Sequence, residues 1–265
     1  MKPLISEFSY GYALTEELAK GRAGSLCGAP VFPSLIEEGR SGGGYDVQLP
    51  RIGMPLFLQF KLSHHMKNGN AAEWNLFGSS YYRIYLRPAY LSMQHQLLQA
   101  LENDGNEVYY AAPEFHRLDE LNEAYLNDTV YERSAFFRPL DIRLPDDKEH
   151  YVVFSKASSI AWRCSEEPTQ EISKTSGKRL LEHLTDAVKK KGRIIDNDFF
   201  DSLARNLLQV LERSSVDVDL VRNEKFLTEE NGNKFLGRQL VGYLARSYFD
   251  AELVIITKSE GMERF

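Results

Sequence analysis

Two short segments hold residues whose types and spacing could do chemistry together. Gly44-Tyr45-Asp46-Val47-Gln48 carries an aspartate. Thirteen residues after it comes the glutamine of Leu56-Phe57-Leu58-Gln59-Phe60-Lys61-Leu62, with a lysine two further on. Brought to one point, a carboxylate, an amide oxygen and an ammonium suit a divalent cation held beside a phosphodiester, where they would neutralise developing charge.

Bringing them together is the work of strands. Successive side chains of a strand point to opposite faces, so Phe57, Gln59 and Lys61 share one face of Leu56–Leu62 and Leu58, Phe60 and Leu62 share the other. The second face is wholly apolar and reads as core. A lysine in so apolar a strand calls for a partner, and Asp46 is the candidate. Its own strand, Tyr45 to Leu49, alternates too. Gly42-Gly43-Gly44 precedes it, and Pro50-Arg51-Ile52-Gly53-Met54-Pro55 reads as the turn of a β-hairpin joining the two strands. The bland alternative is an Asp–Lys ion pair with no chemistry.

The pattern Gly-Tyr-Asp followed by Gln-x-Lys at a strand end resembles the PD-(D/E)xK nuclease superfamily. It is closest to the branch in which glutamine replaces the second acid, as in Mrr-like nucleases and some anti-phage nuclease effectors. The resemblance covers roughly residues 10 to 115. It implies an α/β fold, a restriction-endonuclease-like mixed central sheet flanked by helices, and DNA cleavage with Mg2+ or Mn2+. Asp46, Gln59 and the Phe60 carbonyl would hold the metal, and Lys61 would orient the attacking water or stabilise the transition state. Gln59 departs from the acidic pattern and binds a hard cation more weakly than a carboxylate would. A degenerate, non-catalytic subunit for nucleic-acid binding or complex assembly is therefore the alternative. The family also carries a helix before the hairpin, often with a glutamate facing the metal. Ser9 to Lys20 reads as that helix and Glu17 as that residue, with Glu16, Glu37 and Glu38 as other sources of the acid.

Further along, Ser63-His64-His65-Met66 follows the lysine. Adjacent histidines rarely reach one metal, so His64 is read as a phosphate contact rather than a zinc ligand. Residues 66–80, with Trp74 and Phe77, read either as a loop over the site or as a surface loop whose aromatics plug into the core. Tyr81–Leu86 is a strand and Pro88–Glu102 a helix, on which Gln94 is a candidate substrate contact. His95 reads as a satisfied core histidine. Glu107–Ala112 and Tyr151–Ser155 are strands, Leu118–Leu126 is a short helix, and Leu140–Leu144 reads as extended. Residues 1–164 form the nuclease-like unit and the polar stretch 165–178 a linker or loop. Residues 179–265 form a mainly helical C-terminal region, separate or part of the same domain. It holds helices at Leu180–Lys190, Asp198–Arg213 and Phe235–Asp250, with Gly237 and Gly242 suggesting close packing, and a buried strand at Leu253–Thr257.

Composition bounds the rest. The chain of 265 residues is 43% hydrophobic and 12% aromatic, enough for a large core. No long apolar run suggests a membrane span or a secretory signal. Cys27 and Cys164 give no disulfide framework, so the expected setting is cytoplasmic. A net charge of −6 argues against a strong, independent, non-specific DNA binder. Targeting would come from a protein partner or from homo-oligomerisation. No Gly-x-x-x-x-Gly-Lys-Ser/Thr or Gly-x-Gly-x-x-Gly loop supports a nucleotide-binding enzyme.

Overall fold

Alternating apolar residues build two sheets in the computed structural model, which describes residues 1–19, 52–69, 71, 73–146, 148–165, 168–218 and 236–257. In chain order the elements are α1 (Glu7–Ala19), β1 (Ile52–Phe60), β2 (His64–Met66), α2 (Trp74–Phe77), β3 (Tyr81–Leu86), α3 (Gln94–Asn103), β4 (Glu107–Pro113), α4 (Leu118–Leu126) and β5 (Ser134–Phe137). They continue with β6 (His150–Phe154), β7 (Ile160–Cys164), β8 (Pro168–Ser173), β9 (Thr175–Ser176), α5 (Gly177–Lys191), β10 (Arg193–Ile194), α6 (Asn197–Arg213), α7 (Leu236–Ser247) and β11 (Glu252–Thr257). The class is α/β: a mixed sheet with helices on both faces, and a second, antiparallel sheet ordered β2-β3-β6-β7-β8.

The mixed sheet is centred on β1. One edge of β1 pairs antiparallel with β11 over Gly53–Leu58. The other pairs with β10 at Ile52 and Gly53 and, in parallel, with β4 over Leu56–Phe60. A strand has two hydrogen-bonding edges, and over Leu56–Leu58 both are taken. Tyr45–Leu49, the expected hairpin partner of this strand, lies outside the described residues. The expected turn also gives way to strand from Ile52 onward. Gly53 permits this close packing, because a Cβ there would sit 2.7 Å from the Ile256 carbonyl oxygen.

The alternation read from Leu56–Leu62 holds. Leu56, Leu58, Phe60 and Leu62 join a core cluster with α1, α4 and α5 on one face. Phe57 belongs to the core on the other face, with α3, α6, α7 and the inner side of the second sheet. Val254 and Ile256 of β11 join the first cluster, while Ile255 and the apolar side of α7 join the second. Residues 236–257 therefore complete the same sheet and cores as the first half of the chain. The stretch expected as a linker, 165–178, carries β8, β9 and the start of α5. Ile172 of β8 is buried in the core and anchors it.

Three other expectations change. The helix expected from Pro88 begins at Gln94, and Tyr90, Leu91 and Met93 before it are exposed. Trp74 and Phe77 pack on Tyr81, with ring centroids 6.4 and 5.2 Å away, on the outer side of the second sheet. The core-plugging reading of residues 66–80 is the one realised. Residues 140–144, expected extended, open with a short 3-10 turn at Pro139–Asp141.

Candidate active site at the end of the central strands

Lys61 follows directly on β1, and its N–H extends the ladder by donating to the Ala111 carbonyl at 2.9 Å. Strand parity sends Gln59 and Lys61 to the face that α3 and α7 cover. β1 and β4 are parallel, and a crossover helix runs back along such strands, so its start lies near their C-terminal ends. Gln94 is the first residue of α3. Its Oε1 accepts from Lys61 Nζ at 3.1 Å, and its backbone N–H donates to Ser92 Oγ. Lys61 Nζ also lies 5.9 Å from the centroid of the Tyr110 ring. That ring is fixed from behind by His95.

The fourth member of the cluster is Asp250, which was not among the residues expected from the sequence. Its Oδ2 accepts from Gln59 Nε2 at 3.3 Å and also from Gln94 Nε2. Asp250 occupies the corner between α7 and β11 with φ of 48°, in the left-handed region. The Ala251 N–H bonds back to the Ala245 carbonyl at 2.9 Å, so Asp250 lies inside the turn that closes the end of α7. The corner needs a left-handed residue, and this one carries a carboxylate. Glu7, the exposed first residue of α1, lies within electrostatic reach of Lys61 and Asp250. Ser6 caps that helix, its Oγ accepting from the Ser9 N–H at 3.0 Å.

Charges within the cluster feel one another. Burial lowers the Lys61 ammonium's pKa from its ordinary value, Glu7 and Asp250 pull it back up, and Arg87 opposes them. Protein packed round the Glu7 carboxyl raises its pKa, against the pull of Lys61 and with Asp250 adding to the rise. Gln59 is 2% exposed. Its Nε2 donates to the Phe60 carbonyl at 3.2 Å as well as to Asp250, while its Oε1 is buried with no hydrogen-bond partner. A buried acceptor left unmet costs about 1–3 kcal/mol. Such a group calls for an explanation, of which a held water or ion is one.

Asp46, Glu37 and Glu38 fall outside the described residues. Glu17 is 4% exposed, and its Oε2 accepts from the Tyr131 backbone N–H at 3.1 Å, so it secures the α1 face of the core. His64 sits on β2 opposite Arg83; burial lowers its pKa, and Arg83 adds to the effect. None of its perturbing charges belongs to the Gln59–Lys61 cluster. His95 is 5% exposed, with Nδ1 2.9 Å from the Tyr110 hydroxyl and Nε2 3.0 Å from the Ile142 carbonyl. A carbonyl only accepts, so Nε2 carries the proton and Tyr110 donates to Nδ1.

The donor set suits a hard cation. Asp250, Glu7 and the Phe60 carbonyl could offer oxygen, the ligand type of Mg2+ and Mn2+, while Gln59 turns Nε2 rather than Oε1 toward Asp250 and Phe60. Among the described residues no three His, Cys, Asp or Glu side chains gather as a metal cage, so the amide and carbonyl oxygens have to contribute. Two signals could have found the missed acids. Ser6 is a standard helix cap one residue before Glu7, and Asp250 stands where a helix ends without glycine just before a β-branched run. No family model, curated protein or solved structure matches the chain.

Proposed function

We propose that the chain is a metal-dependent DNA endonuclease of the PD-(D/E)xK type in its Gln-x-Lys form, with a restriction-endonuclease-like core, acting as the nuclease component of a bacterial anti-phage system. The observation that carries this reading is the Lys61 ammonium, held by Gln94 at 3.1 Å, beside the partnerless Gln59 oxygen at the C-terminal end of the parallel strands. The oxygens of Gln59, Phe60 and the neighbouring carboxylates would hold Mg2+ or Mn2+. When bound, such an ion lowers the pKa of a water and offsets charge on a phosphate oxygen. Lys61, aimed by Gln94, donates to the attacking water or to the charge that develops on the phosphate. Glu7 fills the role on α1 that was expected of Glu17. Gln94 also remains a candidate substrate contact.

The net charge of −6 supports delivery to DNA by a protein partner or by self-association. Among the described residues no helix is long and apolar enough to cross a membrane, which fits the proposed cytoplasmic setting. The test is cleavage of plasmid and linear duplex DNA with Mg2+ or Mn2+ by wild type, Lys61→Ala and Glu7→Gln. Wild-type cutting, with Lys61→Ala folded but slower by on the order of a hundredfold or more, supports the reading. Cutting unaffected by Lys61→Ala overturns it.

One observation favours a second reading. Gln59 and Gln94 both donate to Asp250 Oδ2, so this carboxylate is satisfied without a cation. A degenerate nuclease fold serving as a binding or assembly subunit would keep that closed network. It would bind DNA or a partner protein with no metal and no cleavage.

A further inference from the structure

We infer that Asp250 is the carboxylate that completes the cation site with the Gln59 amide oxygen and the Phe60 carbonyl, and that the Gln59 amide turns over to admit the ion. The inference rests on the phosphodiester-hydrolysis reading above and names the acid that reading leaves open.

Position comes first. The last antiparallel pair between β1 and β11 is Leu58 with Glu252. Asp250, two residues before Glu252, therefore comes alongside the end of β1, where Gln59 Nε2 reaches its Oδ2 at 3.3 Å. A residue 191 positions after Gln59 thus reaches the end of β1.

Local chemistry comes second. Asp250 adopts a left-handed backbone, as Asp128 does after α4, a conformation that aspartate tolerates better than most residues. It also sets a negative charge at the negative end of α7. The turn accounts for the backbone but not for a negative charge at this end of the helix, which the cluster with Gln59, Gln94 and Lys61 does account for.

The amide comes third. With Nε2 between the Phe60 carbonyl and Asp250 Oδ2, the Gln59 side chain leaves its own Oε1 buried and unmet. A half-turn of the amide would direct Oε1 at those two oxygens. Three oxygens facing one another repel unless a cation sits among them, and with one they become a hard-ligand set. The turn takes Nε2 off both acceptors and gives Oε1, unmet before, the ion as its partner, so the ion's bonds to three oxygens must offset the two donor bonds lost.

The test is Mn2+ binding to the full chain by isothermal titration calorimetry, with Asp250→Asn and Asp250→Gly, both of which suit the left-handed corner. Mg2+ titration of the 15N-labelled chain follows the Gln59 side-chain amide signals, assigned by their loss in Gln59→Leu. Both Asp250 variants should weaken Mn2+ binding by at least about tenfold, and Mg2+ should shift the Gln59 signals in wild type but not in Asp250→Gly. If wild type binds Mn2+ and both Asp250 variants bind it equally well, the inference falls while the hydrolytic reading stands. It falls in the same way if Asp46→Asn removes binding and the Asp250 variants do not. If wild type binds no Mn2+, the cation site fails and both readings fall with it.

Discussion

Glu17 accepts from the Tyr131 backbone N–H inside the core, whereas Glu7, on the same helix, shares the electrostatics of Lys61 and Asp250. The two glutamates should separate by experiment. Glu17→Ala strands a buried donor and should cost about 1–3 kcal/mol in urea unfolding, with metal-dependent cleavage by the folded protein retained. Glu7→Gln should leave the unfolding midpoint in place and slow cleavage by about tenfold or more. His95 supplies a prediction in pH. Burial lowers its pKa from 6.5 to about 4, so between those values the unfolded chain binds a proton that the folded one refuses. Its contribution is fully present above about pH 6.5 and is lost as the pH falls toward 4. A shift of this size is worth about 3 kcal/mol. Unfolding free energy should therefore drop by about 3 kcal/mol more between pH 7 and pH 4 in wild type than in His95→Gln. An equal drop in both would show that His95 is not held neutral.

The helices and strands that could be read locally are those whose neighbours enforce one period. Tyr81–Leu86 and Leu118–Leu126 match the expected bounds, and the two-faced pattern of Leu56–Leu62 survives because a core lies on each side of β1. The expected hairpin partner, Tyr45–Leu49, lies outside the described residues; local reading also missed β11 as a partner of β1, because strand pairing is a choice among segments far apart in the chain. Glycine was half legible in the same way. Gly237 and Gly242 both suggested close packing, but only Gly237 is tight: a Cβ there would lie 2.3 Å from Asp201 Oδ1 and 2.8 Å from its backbone nitrogen, while one at Gly242 meets nothing within 4 Å. Spacing along a helix does not say which side the neighbouring helix takes. Gly237→Ala should accordingly lower stability by about 1–3 kcal/mol by forcing α6 and α7 apart. Gly242→Ala should raise it by up to about 1 kcal/mol through helix propensity. Thermal unfolding of the two variants checks both signs.

At the scale of the whole molecule, the question is whether the C-terminal region is a passenger or a part. β11 holds an entire edge of β1 from Gly53 to Leu58. Leu240, Val241, Leu244 and Ala245 of α7 are buried in the core that also holds Phe57, Tyr110 and Phe137. Without residues 236–257, β1 would present an unpaired, apolar edge, a template for aggregation. The core of α3 and α6 would lose its cover, and Asp250 would leave the Gln59–Lys61 cluster. Domains that fold alone have few contacts across their boundary, and here the boundary would run through the middle of a sheet. A chain stopped at residue 218 should therefore lack a cooperative thermal transition and bind a hydrophobic dye, where the full chain unfolds in one calorimetric step. A truncated chain that unfolds cooperatively, together with two separate transitions in the full chain, would make the C-terminal region an independent unit. The site would then have to be assembled between two bodies rather than within one.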